Sequence, residues 1–457
     1  MSTPSADAAD VFARARRSFV TDLPQHFQRL AWSEQQVRIH QTRALRRLLR
    51  AAIADSPFHR RLKDAAGDVN SFALDDLPRL PTMTKPEMME RYDEVTTDRR
   101  LTRAAVEEFV AGVGDEPALL LGEYVVLASG GSSGVRGLFA WNARHLPDYF
   151  STILRGGLAR AGAGRVPSGL SIAMVAARSA IHATRLAAHL VHGAVGQVMI
   201  APADLPLQDI TRLLSASHPD LLLGYGGVLR ELAGEQLGGR LRITPAMVVS
   251  TSEHLTADIA ATIEAAFGMA PVNAYGSSEG LNGSAMPGDA VFTFASDAGV
   301  IEFVDESDRP VAVGSPAHHV LFTNLLNTTQ PLIRYRLDDC MTPQPPSPAS
   351  GHQRATLQGR TDEFLRFDER RVHPHAVRSV LAHHAGVSEY QVRTTSRSME
   401  VAIVQTGPID VEQVARELRT SLQAAGTAGI DVVVHTTDRL QRDPRTGKRP
   451  LFVSSDC

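Results

Sequence analysis

The chain has 457 residues, 43% of them hydrophobic and 21% charged, with a formal net charge of −3. This length predicts roughly two to four structural units, and the near-neutral charge argues against a nucleic-acid partner. The only two cysteines, Cys340 and Cys457, exclude a disulfide framework and favour a reducing compartment.

The N-terminal segment is polar and acidic, and no apolar run approaches the roughly 20 residues needed to cross a bilayer. We therefore expect no signal peptide, no membrane association and a cytoplasmic protein. Helical spacing over residues 10–54 predicts helices at the start of the chain. A proline-containing loop follows, and it predicts a short helix that begins near Pro86.

Between about residues 120 and 340, apolar β-like runs alternate with helical stretches. The runs are Tyr124–Leu127, Leu170–Val175, Gln197–Ile200, Leu221–Leu223, Ala246–Val249 and Val320–Thr323, and the helical stretches are Leu146–Ala161, His182–His192, Leu207–Ser217 and Ala257–Phe267. This alternation predicts α/β layers around a largely parallel sheet. Few helical patterns occur from Val291 to Phe322, which predicts a smaller β-rich subdomain.

The last part of the chain has a different pattern. Residues Met341–Gly351 are rich in proline and serine and predict a surface loop. Beyond them we expect strands within Val392–Val404, a helix at Val411–Ala424 and a strand at Ile430–His435. The predicted fold class is therefore α/β, with a large multi-subdomain α/β N-terminal domain (1–360) and a small α+β C-terminal domain (361–457).

The first candidate site is the segment from Ser129 to Gly137, which is rich in glycine and serine and follows an apolar run. Glycines let backbone N–H groups converge on an anion, and serine hydroxyls add donors without blocking its approach. No Lys-Ser or Lys-Thr follows the last glycine, so this is not a Walker A loop. On composition alone, a phosphate cradle and a flexible turn are both open.

The second candidate site is Val272–Gly280, where an aromatic ring, a glycine, two hydroxyls and a carboxylate follow an apolar segment. Tyr275 could face a nucleobase, Ser278 could donate to a phosphate and Glu279 could hold Mg²⁺. A strand end followed by a glutamate that starts a helix would give the same pattern.

Three further segments carry polar and charged residues: Pro331–Asp339, Gly359–Arg366 and Arg442–Pro450. Carboxylates such as Asp339, just past a strand, accept hydrogen bonds from ribose hydroxyls, although they are also common in turns. Lys448 taken alone is an ordinary lysine of a basic tail.

Taken together and in order, five segments resemble the core motifs of the acyl-adenylate-forming (AMP-binding) enzyme superfamily. They are Ser129–Gly134, Asn273–Glu279, Tyr335–Asp339, Gly359–Glu363 and Pro444–Lys448. The segments Ser56–Lys63, Leu77–Lys85, His218–Tyr225 and Thr251–Glu253 also resemble the phenylacetate–CoA ligase branch. The resemblance covers residues 50–457, nearly the whole chain.

The resemblance implies a ligase that uses ATP to convert a carboxylic acid to an acyl-adenylate, with release of pyrophosphate. A second step then passes the acyl group to a thiol, usually coenzyme A. Lys448 would bridge the carboxylate and the α-phosphate, Ser278 would contact that phosphate, and Glu279 would ligate Mg²⁺. The residues implied to bind the nucleotide are Ser129, Gly131, Ser132, Ser133, Gly134, Glu253, Asn273, Tyr275, Gly276, Asp339 and Arg360. Asp362 would be the hinge of a mobile C-terminal domain.

The sequence departs from the family pattern around the second step. Glu369 stands where the family usually has a glycine beside the pantetheine tunnel, Arg378 replaces a glutamate, and Asp338 replaces a glycine. Residues 280–310 contain no cysteine or histidine, so we expect no structural zinc of the kind found in some relatives. The residues for adenylation are kept, whereas those for thioester formation are altered.

The leading prediction is an AMP-forming acid–thiol ligase that acts on an aryl or arylacetic acid with ATP, Mg²⁺ and coenzyme A. One alternative keeps adenylation but transfers the acyl group to an amine or a carrier-protein thiol. A second is a nucleotide-binding protein that has lost catalysis, and a third is an ATP-grasp or kinase-like enzyme that releases ADP. Relatives of this branch are often dimers, so we also expect a homodimer.

Overall fold

The fold is taken from a computed structural model. It describes residues 6–129, 137–203, 205–360, 365–367, 370–372, 375–382, 384, 387–405, 407–424, 427, 429–442 and 450–454. The α-helices are Ala6–Arg29 (α1), Glu34–Asp55 (α2), Lys63–Ala66 (α3), Lys85–Glu90 (α4), Tyr92–Val95 (α5), Arg103–Gly112 (α6), Leu146–Ala161 (α7), Ala183–Val191 (α8), Leu207–Ser217 (α9), Gly226–Leu237 (α10), Ala257–Phe267 (α11), His375–Ala382 (α12) and Val411–Ala424 (α13).

The strands fall into five sheets. They are Tyr124–Ala128 (β1), Leu138–Asn142 (β2), Leu170–Ala176 (β3), Gly196–Pro202 (β4), Leu221–Tyr225 (β5), Met247–Thr251 (β6), Val272–Gly276 (β7), Asn282–Ala285 (β8), Val291–Phe294 (β9), Gly299–Val304 (β10), His319–Asn324 (β11), Tyr335–Leu337 (β12), Asp339–Gln344 (β13), Arg354–Arg360 (β14), Leu365–Phe367 (β15), Arg370–Val372 (β16), Val387–Thr394 (β17), Ser398–Gln405 (β18), Asp431–Thr436 (β19) and Phe452–Ser454 (β20).

Two helices, α1 and α2, form the start of the chain, as the spacing over 10–54 predicts. The Ser33 hydroxyl accepts from the Gln36 N–H, and the Gln36 side chain accepts from the Ser33 N–H, so this pair fixes where α2 begins. The predicted short helix near Pro86 is α4, whose N-cap is Thr84.

A nine-stranded sheet in the order β13-β14-β9-β8-β7-β6-β5-β3-β4 forms the centre of the N-terminal region. Strands β3 to β7 run parallel, which confirms the predicted parallel sheet, and β8, β9, β14 and β13 extend it with antiparallel pairs.

Helices cover both faces of the parallel strands. In β3, Ala173 and Val175 pack with α9, α10 and α11, whereas Ile172 and Met174 pack in a second cluster that includes residues of α1, α7 and α8. Because side chains alternate between the faces of a strand and both faces are buried, the strands read as continuous apolar runs. These runs are the pattern by which the sequence predicts the sheet.

One predicted loop is wrong in its first part. Residues 341–344 of the proline- and serine-rich segment belong to β13, and only the part from residue 345 onward is outside a regular strand. Pro343 is accommodated because β13 pairs with β14 alone and lies at an edge of the sheet, where a missing backbone donor is tolerated. The predicted β-rich part is confirmed as the three-stranded antiparallel sheet β10-β11-β12, while β9 joins the large sheet.

The C-terminal region, by which we mean the described residues from 365 onward, is α+β. Its four strands follow the order β19-β18-β17-β20 and pack with α12 and α13 in an apolar cluster of their own. The predicted strands within 392–404, the helix at 411–424 and the strand at 430–435 correspond to β17 with β18, α13 and β19. Among the helices of the described residues, none combines the length and hydropathy needed to cross a membrane.

Candidate active site

The carboxyl ends of the parallel strands bring several predicted site residues to one edge of the sheet. Strand β6 ends at Thr251 and is followed by Glu253, while its parallel neighbour β7 ends at Gly276 and is followed by Ser278 and Glu279. In open α/β sheets this edge is where ligands bind, because the connecting loops there are free to present side chains and backbone N–H groups.

The turn from β7 to β8 is held by three side-chain donors that come from three different elements. The Tyr149 hydroxyl donates to the carbonyl of Ser277 at 2.9 Å, the Trp141 indole N–H to that of Ser278 at 3.3 Å, and the Asn324 amide to that of Glu279 at 2.6 Å. Because consecutive carbonyls are engaged by the protein, the turn is fixed in position without a ligand. We call this arrangement the three-donor turn.

Glycine is required where the three-donor turn ends. Gly280 has φ of +107°, and a Cβ at this position would collide with the Asn324 amide and approach the Trp141 ring to 3.2 Å. A larger residue would push apart the groups that hold the turn.

Glu279 is buried, and within the described residues no hydrogen bond or ion pair reaches its carboxylate. The Glu279 carboxylate lies close enough to Tyr149 to affect its pKa. Burial raises the pKa of the Tyr149 phenol well above its usual value, and the Glu279 carboxylate raises it further. A buried carboxylate without a protein cation is suited to accept a bound cation. No cluster of three or more His, Cys, Asp or Glu side chains occurs in the described ranges.

Tyr275 and Asn273 lie on β7, and both are half-buried. The Tyr275 ring meets Phe294 edge-on at 5.8 Å and Phe292 at 6.3 Å between ring centroids. These contacts fix the plane of the Tyr275 ring, so a planar ligand could stack on a ring whose orientation is already set.

Glu253 already has a partner in the fold. Its Oε2 atom accepts a 2.8 Å hydrogen bond from the N–H of Gly227, in the first turn of α10. A carboxylate at a helix N-terminus satisfies a backbone donor and is stabilised by the helix dipole. Glu253 therefore links the end of β6 to the start of α10.

Ser129 joins the two ends of the serine- and glycine-rich loop. Its N–H donates to the Gly137 carbonyl at 2.9 Å, and its hydroxyl accepts from the Gly137 N–H at 2.8 Å. A Cβ on Gly137 would lie 2.8 Å from the Phe139 ring, so close packing requires glycine there. The loop connects the antiparallel strands β1 and β2, and Gly131, Ser132, Ser133 and Gly134 lie outside the described residues.

Asp339 and Arg360 form a second group. They are register partners on the antiparallel strands β13 and β14, and Asp339 is buried. The strands β9 and β8 separate this pair from β7 in the order of the sheet. Of the remaining predicted residues, Lys448, Asp362 and Glu369 lie outside the described part of the chain, as do the side chains of Arg360 and Arg378.

Two tyrosine side chains belong to the apolar core. Tyr149 and Tyr225 are both buried, and the Tyr225 hydroxyl accepts from the Ala177 N–H at 2.9 Å. Burial raises the pKa of Tyr225 to about 12. Trp141 and Asn324 are absent from the sequence prediction because they lie far along the chain from the turn that they hold, and no local pattern marks them.

Comparison with solved structures defines the class of fold: it is that of acyl-adenylate-forming ligases, as the motif resemblance predicts. A 2-hydroxyisobutyryl-CoA ligase in its postadenylation state, in complex with R3-HIB-AMP, is similar with a TM-score of 0.68 and 15% identity over 94% of this chain and 92% of that one. The same ligase with 2-HIB-AMP and CoA in the thioesterification state has a TM-score of 0.57 and 15% identity over 93% and 91%.

An ATP-bound RpMatB–BxBclM chimera is similar with a TM-score of 0.51 and 16% identity over 70% of this chain and 65% of that one. No protein-family model matches the sequence, and no curated protein sequence is significantly similar to it.

Proposed function

We propose that the chain is an ATP-dependent ligase that converts a carboxylic acid to an acyl-adenylate with release of pyrophosphate. The observation that supports this most strongly is the three-donor turn, which fixes Ser278 and the cation-free carboxylate of Glu279 at the carboxyl edge of the parallel strands. Solved ligases of the same fold are complexed with acyl-AMP molecules.

The chemistry needs positive charge and oriented donors, because an anionic carboxylate must reach the α-phosphorus of a polyanion. In the proposal, Lys448 bridges the carboxylate and the α-phosphate, and Ser278 donates to that phosphate. Bound Mg²⁺ would neutralise phosphate charge, with Glu279 as its protein ligand. The further proposed contacts are Ser132 and Ser133 with the β- and γ-phosphates, Asp339 and Arg360 with the ribose, and Asn273 and Tyr275 with the adenine.

For the second step we propose coenzyme A as the acyl acceptor and an aryl or arylacetic acid as the substrate. The similar solved structures include a CoA ligase with CoA bound, which supports the thiol acceptor. Glu369 and Arg378 support the alternative, an amine or carrier-protein thiol, because they change the family pattern where pantetheine passes. A mobile C-terminal domain over 361–457, a cytoplasmic location and a homodimer complete the proposal.

Carboxylate-dependent exchange of labelled pyrophosphate into ATP tests the first step directly. Across a panel of aryl and alkyl acids, one class is expected to support exchange, and Lys448→Ala is expected to abolish it while ATP still binds. Glu279→Gln is expected to raise the Mg²⁺ concentration needed for half-maximal exchange. If ATP binds but no acid supports exchange, the chain is a nucleotide-binding protein without this activity, and ADP as product would indicate a kinase-like or ATP-grasp enzyme.

The acceptor is identified by supplying the acid that supports exchange together with coenzyme A, an amine or a carrier protein. Formation of acyl-CoA with a matching amount of AMP is the expected result. Acyl transfer only to an amine or a carrier protein would overturn the coenzyme A assignment and leave the adenylation assignment standing.

A further inference from the structure

The contact between the N-terminal and C-terminal regions is polar. The apolar cluster of the C-terminal region contains only residues from 365 onward, and no apolar cluster among the described residues draws on both regions. Polar contacts between parts of one chain are weaker and more easily separated than a shared apolar core. Polar pairs join the two regions and contribute to their relative orientation.

Two adjacent residues of α10 form ion pairs with the C-terminal region. Arg230 contacts Glu389 of β17 at 2.9 Å, and Glu231 contacts Arg442. A second nitrogen of Arg442 donates to the Ala203 carbonyl at 2.9 Å. We call these contacts the α10 clasp.

The charges in the α10 clasp alternate on both sides. The helix presents a cation and then an anion, and the C-terminal region presents an anion and then a cation. A shift that exchanged the partners would bring like charges together, so the pattern favours one orientation. The side chains of Arg230 and Glu389 are each only 14% exposed, so solvent screens this pair less than a surface pair.

The clasp meets the carboxyl edge of the parallel strands at β4, which β3, β5 and β6 separate from β7. Ala203 follows the carboxyl end of β4, and α10 begins beside Glu253, so Arg442 docks at the edge of the sheet that carries the three-donor turn. Lys448 is six residues beyond Arg442 in the sequence.

A buried glutamine connects the clasp to the segment that contains Lys448. The Gln391 side-chain amide donates to the carbonyls of Gln441 at 3.0 Å and Pro450 at 2.9 Å, the first before and the second after residues 443–449 in the sequence. Gln391 lies on β17, two residues after Glu389. The ends of the segment are thus fixed to the strand that docks on Arg230.

We propose that Arg230, Glu231, Glu389 and Arg442 are positioning residues that hold the C-terminal region at the carboxyl edge of the parallel strands during acid activation. The inference rests on the proposed function. The Arg230–Glu389 ion pair can break without leaving Arg230 unpaired. Arg230 also lies 4.0 Å from Asp258 of α11, which would remain its carboxylate partner. Because the contact is ionic, salt is expected to weaken it.

Charge reversal tests the clasp through a distance that does not depend on activity. Spin labels on Leu237→Cys and Val433→Cys, both at exposed positions, report the separation of the regions in a Cys457→Ser background in which Cys340 is buried. One narrow distance distribution is expected for the unmutated clasp. Arg442→Glu is expected to broaden it, and the swap Glu231→Arg/Arg442→Glu is expected to narrow it again.

Pyrophosphate exchange is measured on unlabelled versions of the same variants. Each single reversal is expected to lower exchange about tenfold, and the swap is expected to return it to within about threefold of the starting protein. Arg439→Glu, the same charge change at an exposed residue of the same segment, is the control and should change neither readout.

Thermal unfolding of each variant identifies any that fail to fold. The clasp would be overturned if Arg442→Glu left the spin-label distance distribution unchanged. It would also be overturned if Arg442→Glu broadened the distribution and the swap did not narrow it again. If distances respond as expected but no acid supports exchange in the starting protein, the proposed function fails and the clasp stands. If an acid supports exchange but the charge reversals leave the spin-label distance distribution unchanged, the clasp is overturned and the proposed function stands.

Discussion

At the scale of single residues, the Tyr149 hydroxyl links the core to the candidate active site. It donates to the Ser277 carbonyl, and Tyr149→Phe removes only this donor. The Ser277 carbonyl keeps a 3.0 Å hydrogen bond from the Gly280 N–H, so the loss of the Tyr149 donor should lower the free energy of unfolding by about 0.5–1.5 kcal/mol. Because the next two residues of the turn are Ser278 and Glu279, we also expect the rate constant of pyrophosphate exchange to fall about tenfold, with little change in the KM for ATP.

Tyr124→Phe is the matched control for this prediction. It removes a hydroxyl that donates to Asp98 at 2.8 Å and makes no hydrogen bond to the three-donor turn. Urea unfolding and exchange kinetics are measured on both variants. Equal exchange rate constants in the two variants would show that the Tyr149 hydrogen bond does not position the turn.

At the scale of elements, the start of α10 depends on a residue that follows β6. The Glu253 carboxylate accepts from the Gly227 N–H, so Glu253→Ala leaves a first-turn donor without this partner. We expect the free energy of unfolding to fall by about 1–2 kcal/mol, because capping by a charged acceptor contributes this much. Since α10 carries Arg230 and Glu231, the variant should also broaden the spin-label distance distribution described above.

Glu264→Ala on α11 provides the comparison, because this glutamate is exposed and its side chain caps no helix start. Unfolding by urea is expected to show no more than about 0.5 kcal/mol of change for this variant. If Glu253→Ala behaves in the same way, the hydrogen bond to Gly227 is not a stabilising cap.

Most elements of the sheet are predictable from the sequence because they have a local cause. The strands β3, β5 and β6 are buried on both faces and so read as apolar runs. The start of β13 is not predictable, because Pro343 indicates a loop unless the strand is known to lie at an edge. Edges follow from the order of the whole sheet, which no local pattern contains.

The candidate site divides in the same way. Glu279 and Ser278 are predictable because they stand in a recognisable motif on one strand and its turn. Trp141 and Asn324 are not, because their role is to donate to carbonyls of residues far away in the sequence. The α10 clasp likewise joins residues more than 150 positions apart, as in the Arg230–Glu389 pair. Such contacts exist only once the chain has folded.

At the scale of the whole molecule, buried histidines couple folding to pH. The histidines with a lowered pKa, in each case chiefly because of burial, are His40, His59, His145, His189, His319 and His352. The pKa falls to about 3 for His59 and to about 4 for His145. These side chains stay neutral in the folded protein at pH values where the unfolded chain binds protons.

His59 shows how the fold keeps a histidine neutral. The Ser56 hydroxyl donates to the Glu94 carbonyl at 2.9 Å, so it accepts at 2.8 Å from His59 Nδ1, which must carry the proton. Within the described residues the other ring nitrogen, Nε2, is buried and has no hydrogen-bond partner. A second proton there would be desolvated and close to Arg61, the second cause of the lowered pKa.

Stability is therefore expected to fall as the pH is lowered from about 6.5, the pKa of histidine in the unfolded chain, toward the folded values. Each such histidine adds up to about 1.4 kcal/mol per pH unit to the slope, since only the unfolded state takes up its proton. In His59→Asn an amide replaces the Nδ1 donor to Ser56 without a titrating group, so the slope between pH 6 and 4 should decrease by about this amount. Urea unfolding at several pH values measures the slope. A slope equal to the parent's in His59→Asn would show that His59 is not a source of the pH dependence.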